Sequence, residues 1–176
     1  NYRWRQTLAV LVCVALAITI ADQVCATLIR PEVCRLRPSN PENPLSEMVH
    51  IVGGYRGGSY GFPSCHSANS FALASFLTLL FANRKLSLFI FAWAVLNSYS
   101  RVYLGVHYPG DLFVGMLIGL ITATASYYVF RYFARNYTDK FKPGGMQLKY
   151  QRYPIYTGII SIWVMLTVSG ILAYIN

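Results

Sequence analysis

Five apolar runs dominate the chain, at residues 7–21, 68–82, 86–98, 112–130 and 155–175. A helix that crosses a bilayer needs about 20 apolar residues. The fourth and fifth runs supply these directly; the first three must borrow flanking residues. Only 12% of the residues are charged and 55% are hydrophobic, against about 25% charged in an ordinary soluble domain. So few charges cannot cover a water-exposed surface, and a bilayer removes that need. The pattern predicts an all-α, polytopic transmembrane helical bundle of about five spans, forming one domain over residues 1–176. Buried helices of a soluble protein would account for the three shorter runs, but not for the two long ones.

The chain begins at Asn1 rather than Met, so further N-terminal residues are expected to precede it. Basic residues ahead of the first run imitate a signal peptide, yet no small-residue cleavage site follows it. The four cysteines, Cys13, Cys25, Cys34 and Cys65, form no CxxC pair. A zinc site is therefore not expected, nor is a Cys34–Cys65 disulfide.

Loop charges orient the spans. Arg3 and Arg5 precede the first run, Arg84 and Lys85 separate the second from the third, and Arg131, Arg135, Lys140, Lys142, Lys149 and Arg152 follow the fourth. The positive-inside rule assigns all three groups to the cytoplasm. The segment 22–67 and the turn 104–109 then face outward, with all three histidines. The outward segment also holds Arg30, Arg35, Arg37 and Arg56 against the charge bias, which suggests an anionic ligand; lipid headgroups are the plainer explanation. The net charge of +9 thus points to a membrane surface and an anionic substrate rather than to nucleic acid. The same segment carries Pro31, Pro38, Pro41, Pro44 and the pairs Gly53-Gly54 and Gly57-Gly58, a loop composition, with short helical pieces expected over 45–52.

Three clusters face outward. Arg30 and Arg37 can hold a phosphate by paired hydrogen bonds. Phe62-Pro63-Ser64-Cys65-His66 opens the second run, where Ser64 or Ser67 can cap a helix whose first-turn amides receive an anion. Ser100-Arg101, His107 and Asp111 lie between the third and fourth runs; if a helix begins near Pro109, Asp111 can reach the His107 ring. A carboxylate on one ring nitrogen fixes the tautomer and frees the other nitrogen for attack. Two histidines, one aspartate and several arginines suit phosphoryl transfer without metal.

These residues resemble the type 2 phosphatidic acid phosphatase superfamily. Its Lys-x6-Arg-Pro motif reads here as Arg30-x6-Arg37-Pro38, with Arg for Lys. Its Pro-Ser-Gly-His motif reads as Pro63-Ser64-Cys65-His66, with Cys for Gly. Its Ser-Arg-x5-His-x3-Asp motif is matched without departure by Ser100-Arg101, His107 and Asp111. The resemblance implies six spans in the full chain, an extracytoplasmic catalytic loop region, and no cofactor or metal. It implies His107 as the nucleophile that forms a phosphohistidine, Asp111 as its orienting group and His66 as the acid for the leaving oxygen. Arg30, Arg37, Arg101, Ser64 and the Cys65 backbone amide would hold the phosphoryl oxygens. Cys65 is harmless if its position is simply the first turn of a helix, and that is the expectation.

The implied substrate is a lipid phosphate or diphosphate of the bacterial inner membrane, met on the periplasmic or exterior side. Undecaprenyl diphosphate and lipid A come first; phosphatidylglycerophosphate and phosphatidic acid are alternatives. Tyr55, Tyr60 and Phe62 are candidates for lining a headgroup pocket. A vanadate-binding haloperoxidase shares the motifs, but such enzymes are soluble and larger. A non-catalytic phospholipid-binding relative would more typically have lost His107 or Asp111. A small channel would explain the spans but not the motif spacing. The oligomeric state is not predicted.

Overall fold

The computed structural model describes residues 2–137, with side chains from residue 8 to residue 134. The run at 155–175 lies outside the described residues. α1 (Tyr2–Gln23) continues through a π-helical turn (Val24–Ile29) into the short α2 (Arg30–Val33). This corrects the expectation that an outward loop starts near residue 22: the chain stays helical to Val33, and Arg30 stands on a helix end. Pro31 does not break it, because a proline in a first turn forfeits no backbone hydrogen bond. The stop comes at Cys34, which turns left-handed (φ 48) and donates its N–H to the Arg30 carbonyl at 3.0 Å.

The loop that follows contains two single 3-10 turns, Ser46–Met48 and Val52–Gly54, near the two ends of the stretch expected to be helical. It is fastened to itself by an antiparallel bridge between Leu36 and Tyr60, with Arg37 N–H donating to the Ser59 carbonyl and Gly61 N–H to that of Arg35. Three longer helices complete the bundle: α3 (Cys65–Phe81), α4 (Arg84–Tyr103) and α5 (Pro109–Tyr137). Ser64 caps α3 by accepting from Ser67 N–H. Asn83 caps α4 by accepting from the amides of Lys85 and Leu86 at 3.0 and 3.1 Å. A capping oxygen satisfies helix-end donors that have no partner within the helix.

α3 is central and packs against α1, α4 and α5, while α1 also lies along α5. The interior is lined by small side chains: Ala17, Ala21, Ala68, Ala72 and Ala123 are fully buried around Phe76 and Leu80. Gly115 and Gly119 bring α5 against α3 so closely that a Cβ at either would collide with a backbone carbonyl, Ser64 or Ala68 respectively. Asn97 Nδ2 on α4 donates to Ser70 Oγ on α3 at 2.5 Å. Large apolar side chains instead point outward, among them Leu11, Leu16 and Ile20 on α1 and Phe113, Leu117 and Ile121 on α5. Small residues inside and large ones outside is the arrangement of helices packed in lipid, where close backbone approach takes the place of a hydrophobic driving force. Leu8–Val33 and Pro109–Ala134 are each long and apolar enough to cross a bilayer, and Cys65–Phe81 is apolar but shorter, at 17 residues.

The chain direction alternates through α1, α3, α4 and α5. The end of α2, the start of α3, the end of α4 and the start of α5 therefore meet at one end of the bundle, and Arg84-Lys85 stand at the other.

Candidate active site

The clearest geometry is at the start of α5. Asp111 occupies the third helical position and is fully buried. Its Oδ2 accepts from the Tyr108 N–H at 2.9 Å, and the Asp111 N–H donates to the Tyr108 carbonyl at 2.9 Å. This reciprocal pair is the capping-box logic of a helix start, and it fixes the carboxylate before any partner arrives. Oδ2 also lies 3.4 Å from His107 Nδ1. A histidine two residues ahead of the helix thus meets an acid in its first turn, as the spacing predicts. With Nδ1 facing the carboxylate, the lone pair of the neutral ring sits on Nε2.

Arg37 meets that second nitrogen. Its Nη1 lies 3.0 Å from His107 Nε2 and donates to the Val106 carbonyl at 3.0 Å. The local fold explains why. Residues 35–37 pair with 59–61 in extended form, so alternate side chains share a side. Arg35 and Arg37 both point at the start of α5, where Arg35 forms an ion pair with Asp111 Oδ1. The Arg35 guanidinium also stacks on the rings of Phe62 and Tyr108, 4.7 and 5.1 Å from their centroids. Gly61 sits between these groups: a Cβ there would meet Arg37 Cγ at 3.2 Å, Asp111 Oδ2 at 3.3 Å and His107 Nδ1 at 3.5 Å.

The second cluster lies at the start of α3. Cys65 is the first helical residue and has no left-handed backbone, so its position is the first turn of a helix, as expected. Ser64 is fully buried beneath it, and its N–H donates to the Asp111 carbonyl at 3.0 Å, binding the two helix starts together. Arg30 Nη2 reaches across from α2 to the Pro63 carbonyl at 3.0 Å and to Cys65 Sγ at 2.8 Å. Arg30 Nε and Arg37 Nε are buried with no hydrogen-bond partner. Each such N–H costs about 1–3 kcal/mol until an acceptor is supplied, and an anion between the two arginines would supply one. His66 is exposed on the first turn of α3. It stands within electrostatic range of His107, Arg37, Arg30 and Arg101. Arg101, on the last turn of α4, donates its Nε–H to Ser100 Oγ at 3.2 Å and lies within electrostatic range of His66.

All eight predicted residues thus come to one end of the bundle. Arg56, noted like Arg35 as an outward charge against the bias, does other work: its Nη1 donates to the Ser39 carbonyl and Ser39 Oγ donates back to the Arg56 carbonyl, both at 2.7 Å, which braces the loop. Three contributors escaped the sequence reading. Arg35 was noted only as a misplaced charge. Asn43 Nδ2 donates to the Arg37 carbonyl and to the Tyr108 hydroxyl, each at 2.9 Å. Asp22 Oδ1 accepts from Asn69 Nδ2 at 2.9 Å, tying α1 to the first turns of α3. Among the described residues, no three His, Cys, Asp or Glu side chains gather into a metal-binding group.

The His107 pKa is pushed down to about 3, first by burial and then by the Arg37 guanidinium, with smaller contributions from His66 and Arg30. The His107 imidazole is therefore neutral at ordinary pH. From 6.5, the ordinary histidine value, down to about 3, an unfolded chain takes up a proton that the folded one refuses. Stability contributed by this group is accordingly lost as pH falls through that window, and the group is neutral to stability above it. Nitrogen-15 spectra of the ligand-free protein in detergent are expected to show His107 still neutral at pH 5; an imidazolium there would contradict this geometry.

The PAP2 superfamily model matches residues 7–135, most of the described chain and all three motifs. The chain belongs to the PAP2 superfamily. It is 50% identical over 176 residues to a lipid A 4'-phosphatase of Bacteroides thetaiotaomicron, covering 99% of this chain and 76% of that protein. It is 36% identical over 128 residues to the lipid A 4'-phosphatase of Porphyromonas gingivalis, covering 73% of this chain and 54% of that protein. A shorter match, 32% identical over 60 residues, is to undecaprenyl-diphosphatase BcrC of Bacillus subtilis, covering 34% of this chain and 30% of that protein. This PAP2 chain is a phosphatase. Its apolar helices, taken with its lipid A phosphatase relatives, identify an integral membrane protein.

Proposed function

We propose that this PAP2 chain removes the 4'-phosphate of lipid A through a phosphohistidine on His107, at a site facing the periplasm from the inner membrane. The observation that carries the reading is the His107 ring held between Asp111 on Nδ1 and Arg37 on Nε2. Two lipid A 4'-phosphatases among the relatives support the substrate. Arg84 and Lys85, at the opposite end of the bundle from the site, support the orientation.

In the first step Nε2 attacks phosphorus, and Arg37 moves from the ring nitrogen to a phosphoryl oxygen. The phosphorus–oxygen bond to the sugar breaks, and His66 gives its proton to the departing sugar oxygen. Asp111 stabilises the positive charge that the ring acquires. In the second step water attacks phosphorus while His66 takes its proton. The nitrogen–phosphorus bond breaks, inorganic phosphate leaves, and His66 is again protonated for the next turnover. Arg30, Arg37, Arg101 and the first-turn amides of α3 face the three equatorial oxygens, where charge is spread in a loose transition state.

Phosphate release by the detergent-purified protein, measured with EDTA present, tests this. Lipid A is expected to outrank undecaprenyl diphosphate, phosphatidylglycerophosphate and phosphatidic acid, and alkaline quenching should trap label on wild type but not on His107→Ala. Release that EDTA abolishes would overturn the mechanism, and a preference for undecaprenyl diphosphate would overturn the substrate.

A further inference from the structure

The geometry points to the Cys65 side chain as a positioning residue that seats Arg30 for the bound phosphoryl group, an assignment that rests on the phosphatase reading of this site.

Arg30 has one Nη2 and spends it twice on the same short segment, on the Pro63 carbonyl at 3.0 Å and on Cys65 Sγ at 2.8 Å. Those two acceptors hold the guanidinium by one corner, at a set distance from the start of α3. Its buried Nε is left without an acceptor. An arginine fixed at one corner, with an unsatisfied N–H elsewhere on the same plane, is preorganised to donate to a tetrahedral oxyanion. Without the sulfur the side chain would keep one tether and regain rotation about its long stem.

Cys25, fully buried on the π-helical turn, stands within electrostatic range of Cys65. The π-helical turn makes this arrangement available. In an α-helix, positions 25 and 30 would lie about 140° apart around the axis at 3.6 residues per turn. Across Val24–Ile29 the Arg30 N–H instead bonds to the Cys25 carbonyl, five residues back, which brings the two residues closer to one face. π-turns of this kind recur at functional sites. A glycine at position 65 offers neither sulfur nor any other side-chain acceptor, so the departure from the family motif has a structural role here.

The test is a double-mutant cycle on the detergent-solubilised protein, read in two ways. Cys65→Ala is expected to lower kcat/KM for lipid A about tenfold, the order of one hydrogen bond to a charged group, and to weaken orthovanadate binding by a similar factor. Cys65→Ser, which restores an acceptor, is expected to recover most of both. In an Arg30→Ala background, Cys65→Ala is expected to change vanadate affinity less than about twofold, with thermal midpoints reported for every variant. Equal losses in both backgrounds, or full vanadate affinity in Cys65→Ala, would overturn the assignment. Vanadate coupling that holds while lipid A is not hydrolysed would sink the substrate reading and leave the seating of Arg30 intact.

Discussion

Asp111→Asn is expected to lower kcat by about 10^4, the scale seen when the orienting acid of a catalytic histidine becomes an amide. The carboxylate has no spare capacity: Oδ1 faces Arg35, and Oδ2 accepts from Tyr108 N–H and faces His107 Nδ1. An amide can keep one acceptor on the Tyr108 N–H. Its NH2 must then point at Arg35, or the group must flip and offer NH2 to the ring. Either choice favours the wrong tautomer or leaves a guanidinium facing donors. Breaking an ion pair with one buried member also costs stability, about 3–5 kcal/mol for a fully buried pair and less here, because the Arg35 side chain is 40% exposed. Steady-state kinetics well below the thermal midpoint separate the two effects. A variant that folds and retains more than a hundredth of wild-type kcat would show that Asp111 does not orient the nucleophile.

Gly115→Ala is expected to lower kcat about 100-fold although it lies outside all three motifs. A Cβ at Gly115 would collide with the Ser64 carbonyl and come within 3.1 Å of Ser67 Cβ. These are backbone and cap atoms at the start of α3, which cannot rotate aside as the tip of a long side chain can. α5 must then move away from α3, carrying Asp111 away from Ser64, Cys65 and His66. A misplacement of about 1 Å can cost 10^2 in rate, and overpacking a tight interface costs about 1–3 kcal/mol. Gly110→Ala serves as the control, since a Cβ there meets nothing within 4 Å. Equal activity in the two variants would show that the α3–α5 spacing does not set the site.

The parts of the site that were legible in the sequence are those governed by local rules. Pro109 and Asp111 announce a helix start, Ser64 announces a cap, and the spacing from His107 to Asp111 needs only one turn to become a contact. The parts that were not legible depend on pairing between distant segments. Arg35 joins the site because residues 35–37 lie in extended pairing with 59–61, which no local pattern of Pro and Gly reveals. Asn43 matters because it bonds to a tyrosine 65 positions away. The helix through Val33 was misjudged because Pro31 reads as a breaker unless a new first turn begins beside it. Charge alone leaves the part of Arg56 open, and only the folded loop shows its reciprocal bonding with Ser39.

The alternating helix directions also bear on how the protein is made. Arg30 and Arg37 leave the ribosome before His66, and the His107–Asp111 pair follows only with α5. The arginines and the His107–Asp111 pair are thus separated in the chain by α3 and α4, and meet only when α5 lies down beside α3. Under the proposed mechanism, a nascent chain whose α5 has not yet packed holds the arginines without an aligned nucleophile, and is expected to be inactive until assembly is finished.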